Sequence, residues 1–151
     1  MTVSLTDDGM CFVCGKNNPI GLKLSFAWEG DDYVTYFTPQ PEHQSYAGIT
    51  HGGLVSTVLD EVMGRNMSSR GLPAVTARME VRFRHSVPLG DPVRFAARIV
   101  RERGKVIDVE ATATLTDGRV AAEATGRFLV QEGSLREETP TQPTASANSS
   151  K

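Results

Sequence analysis

Gly53-Leu54-Val55-Ser56-Thr57-Val58-Leu59-Asp60-Glu61-Val62-Met63-Gly64-Arg65-Asn66-Met67 is the segment whose period decides the fold. At about 100° per residue, Leu54, Val55, Val58, Leu59, Val62 and Met63 gather on one broad side of a helix, a stripe suited to a core. The opposite side carries Gly53, Ser56, Thr57, Asp60 and Gly64. A solvated face normally carries Lys, Glu and Gln. Small residues around one carboxylate instead let a second backbone or a narrow ligand come close. The helix is therefore expected to be covered on both sides, with Asp60 in the second contact. A carboxylate in such a place needs a salt bridge, hydrogen bonds or a functional role, because burying an unpaired charge is costly. Glu61, at the edge of the stripe, reads as a solvated or ion-paired charge.

Working outward, Gly71-Leu72-Pro73 stops the helix. From Val75 to His85 the pattern changes to period two. Ala77, Met79, Val81 and Phe83 fall on one face, and Arg78, Glu80, Arg82 and Arg84 on the other. That alternation predicts a half-solvated antiparallel strand. Strands over Val93–Val100, Val106–Leu115 and Val120–Val130 follow, turning at Arg103-Gly104-Lys105 and Thr116-Asp117-Gly118-Arg119. Upstream of the helix, shorter strands are expected over Gly21–Trp28 and Tyr33–Thr38, joined at Glu29-Gly30-Asp31-Asp32 and closed by Pro39-Gln40-Pro41. The reading is α+β, one antiparallel sheet wrapped around one long helix.

The chain has 151 residues, 39% hydrophobic and 7% aromatic, with formal net charge −2. That supports one domain with a real core and argues against a nucleic-acid binder, which usually shows a basic excess or a stacking platform. Residues 131–151 turn rich in Ser, Thr, Pro and Glu and hold one leucine, so a disordered tail is expected there. The divisions are then residues 1–20, 21–130 and 131–151. No signal peptide is evident at Met1–Met10 and no apolar run suits a membrane span, so the expected setting is cytoplasmic, without a membrane partner.

Gln44-Ser45-Tyr46-Ala47-Gly48-Ile49-Thr50-His51-Gly52-Gly53 leads into the helix. Glycines at a helix start leave backbone N–H groups uncovered, and with the positive end of the dipole they can polarise a carbonyl oxygen. His51 there reads as a capping group, a core histidine or a catalytic group, the structural roles being the commoner for an isolated histidine. No phosphate-loop pattern is present.

The run Gly48-x-x-His51-Gly52-Gly53, with Asp60 nine positions after the histidine, resembles the hotdog-fold acyl-CoA thioesterases of the phenylacetate-pathway and 4-hydroxybenzoyl-CoA type. The likeness spans roughly residues 11–130. It implies a hotdog fold and an acyl-CoA substrate, with no cofactor and no metal. It also implies a site between subunits of a homodimer or dimer of dimers. Carried over by position, Asp60 matches the carboxylate that activates water or attacks the thioester. Gly52 matches the backbone donor to the thioester carbonyl, and His51 a histidine beside the substrate. Thr76 matches a hydroxyl that helps hold the water, although strand parity sets it with Arg78 and Glu80 on the polar face. Gly53, Ser45 and Glu61 are the expected substrate-binding neighbours. Ser45 stands where several members have Asn or Gln, with Gln44 beside it. Arg78, Arg82, Arg84 and Lys105 are candidates for the coenzyme A phosphates by composition, or ordinary charges on an exposed sheet.

Cys11-Phe12-Val13-Cys14-Gly15 has metal-knuckle spacing, yet it supplies two of the four ligands a structural zinc usually takes, and no second pair exists. His43 or His85 would complete a site only through the tertiary fold. Relatives of this thioesterase type carry similar openings followed by Asn-Pro-x-Gly-Leu, as in Asn18-Pro19-Ile20-Gly21-Leu22, which suggests a packing role. The alternatives to a thioesterase are a hotdog hydratase or dehydratase and a non-catalytic acyl-CoA-binding module.

Overall fold

A computed structural model of the chain describes residues 5–132 and, for the backbone, 136–137. The elements are β1 (Thr6–Asp7), β2 (Phe26–Glu29), β3 (Asp32–Phe37), a 3-10 turn at Pro41–His43, α1 (Gly52–Ser68), β4 (Ala74–Phe83), β5 (Val93–Arg103), β6 (Val106–Thr114), β7 (Val120–Val130) and β8 (Arg136–Glu137). Six strands form one antiparallel sheet in the order β2-β3-β5-β6-β7-β4. Helix α1 packs across β3 to β7. β1 pairs in parallel with β8, setting Thr6 opposite Arg136 and Asp7 opposite Glu137. Most of the expected tail, 131–151, lies outside the described residues. Among the described residues no helix is long and apolar enough to cross a membrane.

The architecture is the expected α+β one, and the helix and the meander stand where their periods place them. The stretch Gly21–Trp28 differs, because only Phe26–Glu29 pairs in the sheet. The N–H groups of Leu22 and Leu24 are taken by the carbonyls of Phe12 and Val13, at 2.8 and 2.9 Å. Between them Lys23 has φ 52°, which breaks an extended strand. The segment is thus laid against the cysteine turn rather than against β3.

The core explains the many alanines of the meander. Val55, Val58, Leu59, Val62, Met63 and Met67 of α1 are buried among Phe95, Ala97, Val109, Ala111, Ala122, Ala124 and Phe128. Small residues on the inner face of β5–β7 let the helix sit close. Gly126 marks the closest approach: a Cβ there would lie 3.0 Å from the sulfur of Met63 and 2.7 Å from the Phe128 ring. Leu54, grouped with the stripe by its helical angle, is half-buried and stands outside this cluster, while Met67 is fully buried inside it and Asn66 is fully buried as well. Asn66 compensates part of its burial by donating from Nδ2 to the Ala97 carbonyl at 3.2 Å.

Strand β4 carries a bulge. Thr76 faces Phe128 and Arg78 faces Arg127 across β7, so Ala77 is the extra residue. Directly opposed residues share a sheet face. Thr76 therefore lies on the helix side with Phe128, and Met79 does so with Gly126. One inserted residue reverses the parity that had set Thr76 among the exposed arginines.

Candidate functional site

A helix begins with four N–H groups that its own turns cannot use. Three of these four in α1 are taken. His51 N–H donates to the His43 carbonyl at 2.8 Å, Leu54 N–H to the His51 carbonyl at 3.0 Å, and Gly53 N–H to His51 Nδ1 at 2.9 Å. Gly52 N–H has no acceptor among the described residues, and it sits at the positive end of the 17-residue helix. The N-cap is thus His51 itself, the capping alternative of its three readings. A ring nitrogen that accepts an N–H is unprotonated, so the neutral imidazole carries its proton on Nε2. Nε2 has no partner among the described residues. Gly53, expected as a substrate contact, has its amide committed to the cap.

The loop before the helix is held by its own groups. Gln44 Oε1 accepts from Gly48 N–H at 3.1 Å, and the Ser45 amide donates to the Ile49 carbonyl at 2.8 Å. The Ser45 hydroxyl reaches that same carbonyl at 3.5 Å. His51 N–H is anchored on the His43 carbonyl and Thr50 N–H on that of Val87, each at 2.8 Å. An open groove of about 450 Å³ runs beside the helix start, lined by Glu42, His43, Gln44, His51, Gly53, Leu54 and Thr57. The ring of Phe83 stands against Gly52, 3.5 Å from where a Cβ would be, and is 53% exposed. Sequence reasoning set Phe83 in the apolar face of its strand and missed its place beside the free amide. Its signal was a large aromatic at the exposed end of β4.

Asp60 is half-buried on the side of α1 that meets β4. It has no ion pair among the described residues. Its Oδ1 accepts the Thr76 hydroxyl at 2.7 Å, made reachable by the bulge. Oδ2 is left without a partner among the described residues. Asp60 and Thr76 are therefore brought together, and Gly52 and His51 are brought together, but the two pairs are apart. Eight residues separate Gly52 from Asp60 on one helix, about 12 Å of rise.

Glu61 faces elsewhere. Cys11 Sγ lies 3.4 Å from Glu61 Oε1, and one donor atom from each of Cys11, Cys14 and Glu61 lies within 4.8 Å of the others. Burial, then the Glu61 carboxylate and Cys11 beside it, push the Cys14 thiol well above its ordinary range. Neither His43 nor His85 joins this cluster. Of the basic candidates, Arg82 pairs with Glu80, Arg84 with Glu123 and Lys105 with Glu132, at 3.5, 3.1 and 2.9 Å. Arg78 has no ion pair among the described residues.

A sequence model of the thioesterase superfamily matches residues 47–122, from the loop before the helix into β7. Human acyl-coenzyme A thioesterase 13 is 28% identical over 94 residues, 61% of this chain and 62% of that protein. The chain thus spans somewhat under two thirds of that relative's length. A Streptococcus mutans protein crystallised with acetyl-CoA superposes with TM-score 0.69 at 24% identity, over 75% of this chain and 91% of that one. The Escherichia coli PaaI protein of the phenylacetic acid degradation operon superposes with TM-score 0.71 at 16% identity, over 76% and 84%. These structures share the hotdog arrangement of one helix on an antiparallel sheet. With the family match covering half of its residues, the whole of this helix among them, the chain belongs to the thioesterase superfamily.

Proposed function

We propose that this protein hydrolyses an acyl-CoA thioester to the free acid and coenzyme A, in a site completed by two copies of the chain. The carrying observation is the Gly52 amide, the one N–H of the helix's first turn that neither the helix nor its cap uses. A thioester carbonyl placed there accepts a hydrogen bond at the positive helix end, where charge on the oxygen of a tetrahedral intermediate is stabilised. His51 Nε2–H, turned outward by the cap, can donate to the same substrate at its sulfur or carbonyl.

The second requirement is a base or nucleophile. Asp60 fits, with Thr76 on Oδ1 and Oδ2 left to take a proton from water or to attack the acyl carbon. General-base attack by water gives acid and thiol directly. Nucleophilic attack gives a mixed anhydride that water then opens. Because about 12 Å of helix separates Asp60 from Gly52, one carbonyl cannot meet both in a single copy. The two pairs meet when α1 of one copy faces α1 and β4 of another. The similarity to human acyl-coenzyme A thioesterase 13 and to the acetyl-CoA-bound neighbour supports the substrate class.

The test is thiol release from a panel of short, long and aromatic acyl-CoAs. Asp60→Asn keeps an acceptor for Thr76 and so keeps the fold, and is expected to lose about 10²–10⁴-fold in turnover. Near-wild-type turnover in that variant would remove Asp60 from the mechanism. Tight acyl-CoA binding by the wild type without thiol release would leave a binding module, and hydration of an enoyl-CoA would leave a hydratase.

A further inference from the structure

Outside the proposed catalytic groups, one cluster of ligating side chains is built by two separate parts of the fold. Cys11 and Cys14 come from the N-terminal turn and Glu61 from the middle of α1, with their donor atoms all within 4.8 Å of one another. We propose that Cys11, Cys14 and Glu61 form a binding site for a divalent cation of the zinc type, which clamps the N-terminal turn to α1.

The turn is shaped before any cation arrives. Gly15 N–H closes it on the Cys11 carbonyl at 2.8 Å. The turn is so tight that a Cβ on Gly15 would lie 2.5 Å from Cys11 N, Cys11 O and Gly9 O. Around it Asn17 N–H bonds the Gly9 carbonyl, and Leu22 and Leu24 bond the carbonyls of Phe12 and Val13. Asn18 adds a bond from Nδ2 to the Met10 carbonyl at 3.1 Å. The Asn18-Pro19-Ile20-Gly21-Leu22 run thus braces the two cysteines, and its distance from them in sequence is spanned by backbone hydrogen bonds. The third donor is carried by a rigid helix.

Distances and charge suit the cation. In a tetrahedron with Zn–S of about 2.3 Å and Zn–O of about 2.0–2.2 Å, the sulfur-to-oxygen edge is about 3.5 Å. The Cys11 Sγ to Glu61 Oε1 separation is 3.4 Å. Two sulfurs and one carboxylate oxygen select a borderline-soft cation over calcium or magnesium, and a water takes the fourth position. On binding, two S–H bonds give way to two metal–sulfur bonds and both protons pass to solvent, with no redox change. The cation's two charges replace those of the protons, so the local charge is conserved. Arg65, one turn along α1, is a positive charge near Cys14 and Glu61.

The test uses the full chain, reduced with a phosphine and loaded with Co²⁺ as the probe, after thiol titration shows both cysteines free. About one Co²⁺ per chain is expected, with a thiolate-to-cobalt charge-transfer band. The band should vanish in the Cys11→Ser/Cys14→Ser variant. Glu61→Gln should weaken Co²⁺ binding by about 10-fold or more. Zn²⁺ should raise the melting temperature of the wild type and leave that of the double-serine variant unmoved. Absence of the band in fully reduced wild-type protein would overturn the proposal. So would a Co²⁺ affinity indifferent to Glu61→Gln, which would leave a two-cysteine site of another kind. None of these readouts depends on thioesterase activity.

Discussion

At the scale of single residues, Gly52 and Gly53 look interchangeable and are not. The Gly53 amide holds the His51 ring at 2.9 Å, while the Gly52 amide is free to meet a ligand. This difference permits a selective deletion of one N–H. Gly52 occupies the first helical position, where proline is favoured because its missing N–H is unused by the helix. Proline also requires an extended residue before it, and His51 already has φ −58° and ψ 126°. A Cβ at position 52 meets only the Phe83 ring, at ordinary contact distance. Gly52→Pro is therefore expected to fold with little change in melting temperature. It should lower kcat for acyl-CoA hydrolysis by about 10²–10³-fold, the usual cost of removing one oxyanion donor. Turnover within a few-fold of wild type, measured by thiol release, would show that the carbonyl is held elsewhere.

At the scale of elements, α1 shows how far a period can be trusted. Its start, its stop and its core stripe were legible, because apolar residues at helical spacing bury together whatever the sheet does. Leu54 was not legible, since its side chain lines the groove beside the helix start while its neighbour Val55 joins the core. Leu59→Ala is expected to cost about 2–5 kcal/mol, as for a fully buried leucine in a packed core. Leu54→Ala should cost about 1 kcal/mol or less. Denaturant unfolding of the two variants checks this, and equal losses would restore Leu54 to the core. The acid at Asp60 was legible from its odd place among small residues. Its partnership with Thr76 was not, because one bulge at Ala77 reverses strand parity and period two carries no mark of a bulge. Glu61 was also illegible as a neighbour of the cysteines, since fifty residues separate it from Cys11 and only the folded chain joins them.

At the scale of the whole molecule, the separation along α1 sets the strongest constraint. Gly52 and Asp60 sit eight residues apart on one rigid helix, about 12 Å, whereas a thioester carbon and its oxygen lie within bonding reach of each other. Large apolar side chains are exposed near the free amide: Tyr46 at 82%, Phe83 at 53% and Ile49 at 37%. Such a surface suits a second copy of the chain, and a two-fold contact would create two equivalent sites, each using both copies. That arrangement makes a mixing experiment decisive. Gly52→Pro and Asp60→Asn homodimers should each be nearly inactive. After the two are unfolded together and refolded in equal amounts, about half of the dimers are mixed, and each mixed dimer has one site with both native groups. Activity should then recover to about a quarter of wild type, while each variant refolded alone should stay inactive. A mixture as inactive as its parents would mean that Gly52 and Asp60 of one copy must act on one substrate. That result would overturn the site shared between two copies.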